Sequence, residues 1–128
     1  MKGTMKGVVV TTNNRVSIRS FGEPLYRTAK EVLGGYMEIV YPRGLNRPYL
    51  MLCNDEGLLQ GLPVNIFASD VYCAREGGYP IVGNVIIMKE GTNDYGEPDV
   101  IGLEDDEAED IADVIRNFYG KGKKKCRT

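Results

Sequence analysis

Near the start of the chain, apolar and polar positions alternate with a period of two, then shift to a period near four. Gly7-Val8-Val9-Val10-Thr11-Thr12 is a β-branched run, Asn13-Asn14 a turn, and Arg15-Val16-Ser17-Ile18-Arg19 alternates polar and apolar. The pair predicts a hairpin with one solvated face. Leu25, Ala29, Val32 and Leu33 then fall at i, i+4, i+7 and i+8, one helical stripe, with Arg27, Lys30 and Glu31 off it. Pro24 suits the first helical position and Gly34 the stop. Strand character returns at Tyr36-Met37-Glu38-Ile39-Val40 and Tyr49-Leu50-Met51-Leu52-Cys53, joined by a connection rich in Pro and Gly. Asn54-Asp55-Glu56-Gly57 predicts a turn, Leu58-Leu59 starts a short return segment, and Gly61-Leu62-Pro63 stops it.

Beyond Asn65 the pattern weakens. Residues 66–72 fit either a loop with a helical turn, which Asn65 would cap, or an irregular strand. Glu76-Gly77-Gly78-Tyr79-Pro80 reads as a loop. Ile81 to Met88 is a buried strand that Gly83-Asn84 interrupts, and the turn-rich stretch 90–99 joins it to Val100-Ile101-Gly102-Leu103. From Asp105 a second helix starts, with acids in its first turns as the helix dipole prefers. Ala108, Ile111, Ala112, Ile115 and Phe118 or Tyr119 make its apolar stripe, and Gly120 ends it. The expected fold is α+β: an antiparallel β-sheet or meander with two packed α-helices. It forms a single domain over residues 1–120, followed by a basic, disordered tail over 121–128.

Composition narrows the chemistry. The chain has 128 residues, no histidine and three widely spaced cysteines, Cys53, Cys73 and Cys126. That excludes the common zinc sites and the Ser–His and Cys–His nucleophile pairs. No phosphate-cradling glycine loop is present, and the many acids lack neighbours that would tune them. No catalytic residue, metal or cofactor is expected. No apolar run reaches the length of a membrane span, and the N-terminus lacks a signal-peptide layout. Net charge is −2, but residues 104–113 hold seven acids while 121–127 hold five bases. A solvated helix face followed by a frayed tail accounts for this pattern. DNA mimicry by the acids and phosphate attraction by the tail are the alternatives, and seven acids are few for a DNA mimic.

Two residue sets stand out as binding candidates. Arg27, Arg43, Arg47, Arg75 and Arg116 accompany Tyr26, Tyr36, Tyr41, Phe67, Tyr72, Tyr79 and Tyr119. Arginine forks grip phosphates and aromatic faces stack on bases, although each residue taken singly also fits a core or solubilising role. The second set is Asn54, Asn65, Asn84 and Asn117. Asn84 interrupts an apolar strand, so its amide needs a partner in the protein or in a ligand.

The stretches Val32-Leu33-Gly34-Gly35-Tyr36-Met37-Glu38-Ile39-Val40 and Asn54-Asp55-Glu56-Gly57-Leu58-Leu59-Gln60-Gly61-Leu62-Pro63-Val64-Asn65 resemble an uncharacterised domain family common in phages and mobile elements. Ile81-Val82-Gly83-Asn84-Val85-Ile86-Ile87 is similar to that family's final core strand. In size and order of elements the chain also resembles one branch, the Thoeris anti-defence sponge proteins of the first described type. The resemblance implies a protein in the cytoplasm of the infected bacterial host that sequesters cyclic nucleotide immune signals without cleaving them. Cyclic ADP-ribose isomers lie there at a dimer interface, held by aromatic, Asn and Arg side chains, and cyclic trinucleotides at the threefold positions of a trimer of dimers. Carried onto this chain, it points to Arg116, Tyr119 and Asn84 for the small ligand and to Arg27 at the threefold. Asn117, Phe67 and Tyr36, from the sets above, complete the expected ligand-binding residues. The expected partners are the cyclic nucleotides and the protein itself, with no membrane and no nucleic acid polymer. The alternative is an antirestriction-type or other defence inhibitor that binds a protein partner through the acidic helix.

Overall fold

The structure is a computed structural model that describes residues 4–73 and 80–119. The expectations for the loop at 76–79, the stop at Gly120 and the tail at 121–128 lie outside the described residues. Among the described residues six strands form one antiparallel sheet: β1 (Met5–Val10), β2 (Val16–Phe21), β3 (Met37–Val40), β4 (Tyr49–Asn54), β5 (Val85–Thr92) and β6 (Pro98–Ile101). Their order is β2-β1-β5-β4-β3, and β6 also pairs with β5. Strand β5 has room for both because β1 meets its first half, at Val85–Ile87, and β6 its second, at Lys89–Thr92.

Side chains of β5 alternate between two cores, which is why its apolar run is continuous rather than alternating. Val85 and Ile87 join one cluster with Val8, Val10 and Met51; Ile86 and Met88 join the other with Val9, Leu50 and Leu52. The second face is covered by α1 (Leu25–Leu33), whose Ala29, Val32 and Leu33 are buried. The first is covered by α2 (Ile66–Tyr72) and α3 (Asp105–Phe118) through Ala68, Val71, Ala108, Ile111, Ala112 and Ile115. The domain therefore has helices on both faces of an α+β sheet.

Among the described residues three helices stand where two were expected, because the ambiguous stretch at 66–72 is helical. Asn65 decides it: its side-chain oxygen accepts from the Ala68 N–H at 3.0 Å, while its amide donates to the carbonyls of Val10 and Gly83, each at 2.9 Å. One wholly buried side chain thus caps α2 and ties it to the sheet. Leu58-Leu59 is a turn rather than a return strand, and both leucines stay exposed. Pro24 is the N-cap of α1, one residue before its expected place. Gly34, at φ 80°, ends that helix by donating to the Lys30 carbonyl, a conformation that favours glycine. The interruption at Gly83-Asn84 is real: Val82 makes an isolated bridge to Val64, and the ladder resumes at Val85.

Candidate functional site

The start of α3 gathers the densest polar network. Glu107, at the third helical position, accepts from the Glu104 N–H at 2.9 Å, and the two residues form a reciprocal capping box. The Glu107 carboxylate also accepts from Lys89 Nζ of β5 at 2.8 Å and from the Tyr49 hydroxyl of β4 at 2.7 Å. The Lys89 and Glu107 side chains are mostly buried, 18% and 19% exposed. Burial alone would push Glu107 upward. The hydrogen bonds from Lys89, Tyr49 and the Glu104 N–H outweigh it and hold the carboxyl below its ordinary range. Tyr49 is pushed up to about 12, first by its bond to Glu107 and then by burial. A carboxylate receiving three donors has little capacity left to act as a base. What the network does is fasten α3 to β4 and β5.

Beside this network lies a cavity of about 560 Å³, with Leu45, Ile111 and Val114 as apolar wall and Glu104, Asp106 and Asp110 at its mouth. A second, of about 490 Å³, sits between β3 and the turn after β4, lined by Glu38, Val40, Leu58, Leu59 and Tyr72. Cys53 lies on its wall, free and buried, with its thiol pushed up to about 11 by burial and then by Glu38 and Asp55. That is a core thiol, not an activated one. A third, the largest of these three at about 810 Å³, runs between the start of α1 and the β5–β6 hairpin. Tyr26 and Tyr95 line it, 58% and 86% exposed, together with Met37, Thr92, Asn93 and Val100. Asn93 organises the hairpin turn, its side-chain oxygen accepting from the N–H groups of Tyr95 and Glu97 at 2.9 and 3.0 Å. Glu23, Asp94 and Asp99 also line this groove, and among the described residues no Lys or Arg does.

The seven residues expected at a ligand site are divided by the sheet. On the α2/α3 side, Arg116 donates to the Val16 carbonyl at 2.8 Å and to Asp113 at 3.3 Å, and Asn117 is exposed. Tyr119 is buried, with its hydroxyl donating to the Gly44 carbonyl at 3.0 Å. A Cβ on Gly44 would stand 2.5 Å from that hydroxyl, so a glycine is what allows the contact. Burial, with Asp70 nearby, raises the Tyr119 phenol. Phe67 of α2 packs half-buried against the same core. On the α1 side, Asn84 accepts from the Thr12 N–H at 3.0 Å and donates to the Val32 carbonyl at 3.2 Å. Its amide has found protein partners on both ends. Tyr36 is 66% exposed beneath the Lys30 ammonium, 4.6 Å from the ring centre, and Arg27 is exposed on α1. None of the seven lines the three cavities. A pocket drawing on both groups would need more than one copy of the chain.

Local pattern does not point to the Tyr49–Glu107–Lys89 set, whose members are 58 and 18 residues apart. The Glu104/Glu107 spacing of a capping box is the one signal that could have marked Glu107. Among the described residues no group of three or more Cys, Asp or Glu is placed to hold a metal ion, and no helix is long and apolar enough to cross a membrane.

No curated protein and no solved structure matches the chain. One family model does, over residues 5–116, a span that runs from the first residue of β1 to the last turn of α3 and so includes the whole sheet. The chain therefore belongs to the family described as a domain of unknown function, DUF3846.

Proposed function

We propose that this protein is a phage anti-defence sponge, which binds a cyclic nucleotide immune signal in the bacterial cytoplasm and withholds it without cleaving it. The observation that carries the reading is the groove of about 810 Å³ with Tyr26 and Tyr95 at its rim. Its volume is in the range of small-molecule sites. Two large aromatic rings stand open there, offering faces on which bases stack. The likeness of residues 32–40, 54–65 and 81–87 to a phage and mobile-element family supports the same reading.

Charge sets a condition on it. With three carboxylates and, among the described residues, no Lys or Arg lining the groove, the rings suit the base and ribose of a ligand, not its phosphates. Phosphate must be met by cations outside the groove, and Arg27, next to Tyr26 on α1, is the nearest in sequence. Arg116 and Asn117, across the sheet, enter such a site only from a second copy, as in the dimers and trimers of dimers that the resemblance implies. Sequestration then needs only tight burial and protein in excess of the signal.

Stacking on an aromatic ring is worth roughly 1–3 kcal/mol per base. Tyr95→Ala should accordingly weaken binding of a cyclic ADP-ribose isomer or a cyclic trinucleotide about fivefold to a hundredfold, read by titration calorimetry. Because Tyr95 is 86% exposed, the variant should melt as the parent does. Unchanged affinity would remove the groove from the site.

One observation favours a second reading. Glu104, Asp105, Asp106, Glu109, Asp110 and Asp113 are all exposed along α3. That face suits a basic surface on a host protein, as a defence inhibitor acting by protein contact would require. Retention of a host protein at low salt, lost at high salt, with no nucleotide retained, would establish this reading over the first.

A further inference from the structure

The two edges of the sheet are treated differently. Strand β2 carries Ser17, Arg19 and Ser20 as exposed residues and packs on α3, the kind of polar edge that discourages pairing. Strand β3 pairs only with β4 among the described residues and has Ile39 exposed at its middle, with Glu38 as its single charge. Register shows which backbone groups this edge offers. The Asp55 N–H donates to the Tyr36 carbonyl at 3.0 Å, and the same alternation continues through Glu38↔Cys53 and Val40↔Met51. The N–H and C=O groups of Met37 and Ile39 therefore face away from β4.

We infer that β3 is a dimer interface, in which the β3 edges of two copies pair antiparallel about a twofold axis at Ile39 and join two sheets into one. In that register Ile39 faces the partner's Ile39, and Met37 faces the partner's Tyr41. Glu38 falls opposite the partner's Val40, so no like charges meet. Pro42, whose missing N–H falls on the β4 side, ends the β3–β4 ladder after Val40 and so keeps the offered edge to this short segment. The apolar area reaches the lower end of what a stable interface uses. Tyr36, Ile39 and Tyr41, with Leu58 and Leu59 from the cavity wall behind β3, expose roughly 600 Å² per copy, against about 600–1,000 Å² per partner in a standard interface. The inference rests on strand geometry alone and stands apart from what the groove binds.

Light scattering on the full chain at micromolar concentration should give twice the chain's mass, or six times where three such dimers assemble. Ile39→Lys, which places two cations face to face, should halve that mass, while Ser17→Lys on β2 should leave it unchanged. Amide hydrogen exchange on the unaltered protein supplies a readout that no folding defect can confuse. Exchange at Met37 and Ile39 should be at least about tenfold slower in the dimer than after dilution to monomer. A monomeric parent, a dimer that survives Ile39→Lys, a dimer lost through Ser17→Lys, or fast exchange at Met37 and Ile39 at every concentration would each overturn the assignment.

Discussion

Glu107 holds a capping position, an ion pair and a phenol at once, so its loss should be felt well beyond α3. Glu107→Gln keeps the shape but removes the charge, which makes the Tyr49 contact a neutral one and leaves Lys89 mostly buried without its counter-ion. A cost of about 2 kcal/mol is expected from denaturant unfolding. Its pH dependence has a definite sign. The folded-state carboxyl lies below its ordinary value, so its stabilisation is present above the unfolded pKa of about 4.3 and is lost as pH falls through the lower folded value. Glu107→Gln should flatten that acid limb. An unchanged acid limb would show that Lys89 and Tyr49 do not hold the carboxylate in solution. At Arg116 the guanidinium already spends one donor on the Val16 carbonyl, joining α3 to β2. Arg116→Ala should therefore cost about 1 kcal/mol of stability, more than a wholly solvated residue would. In a two-copy ligand site it should also weaken small-ligand binding about tenfold or more, read by calorimetry. The roles of both residues depend on partners distant in sequence, which is why neither was legible from its neighbours. The same holds for Asn84: its need for a partner was legible, but Thr12 and Val32 lie 72 and 52 residues away.

Among the elements, those with a clean period were legible. The hairpin, the α1 stripe and the α3 stripe each bury one face and show it in their spacing, and β5 announces burial on both faces by an unbroken apolar run. Helix α2 was ambiguous because seven residues hold barely two turns, and its stability comes from tertiary contacts rather than pattern. Asn65 supplies much of that. Asn65→Ala would uncap α2 and strand the Val10 and Gly83 carbonyls in a buried setting. A loss of about 3 kcal/mol is expected in denaturant melts, and Asn65→Asp, which keeps the capping oxygen but not the donors, should recover only part of it. Full recovery by Asp would mean that the cap alone matters. Leu58-Leu59 shows the converse: two apolar residues invite a strand, but Gly57 and Gly61 bracket them in a turn, and both stay exposed.

At the scale of the whole molecule, the sheet separates Arg116, Asn117, Tyr119 and Phe67 from Asn84, Tyr36 and Arg27, while the largest groove contains none of them. Residue type marked out arginine and aromatic chemistry but not its location, because the crossing from α1 to α3 passes through the full thickness of the fold. Tyr119 is buried against Gly44, whereas Tyr26 and Tyr95, on α1 and in the hairpin turn that Asn93 organises, stand exposed along one groove. The claim that joins these observations is that the protein retains a cyclic nucleotide intact. The most direct measurement incubates the folded protein with a cyclic ADP-ribose isomer and with a cyclic trinucleotide, removes free ligand by gel filtration, and analyses by mass spectrometry what heating releases. Unaltered cyclic nucleotide, released in proportion to protein, is the result the account predicts. Linear or cleaved product, or no retained nucleotide at all, would contradict it.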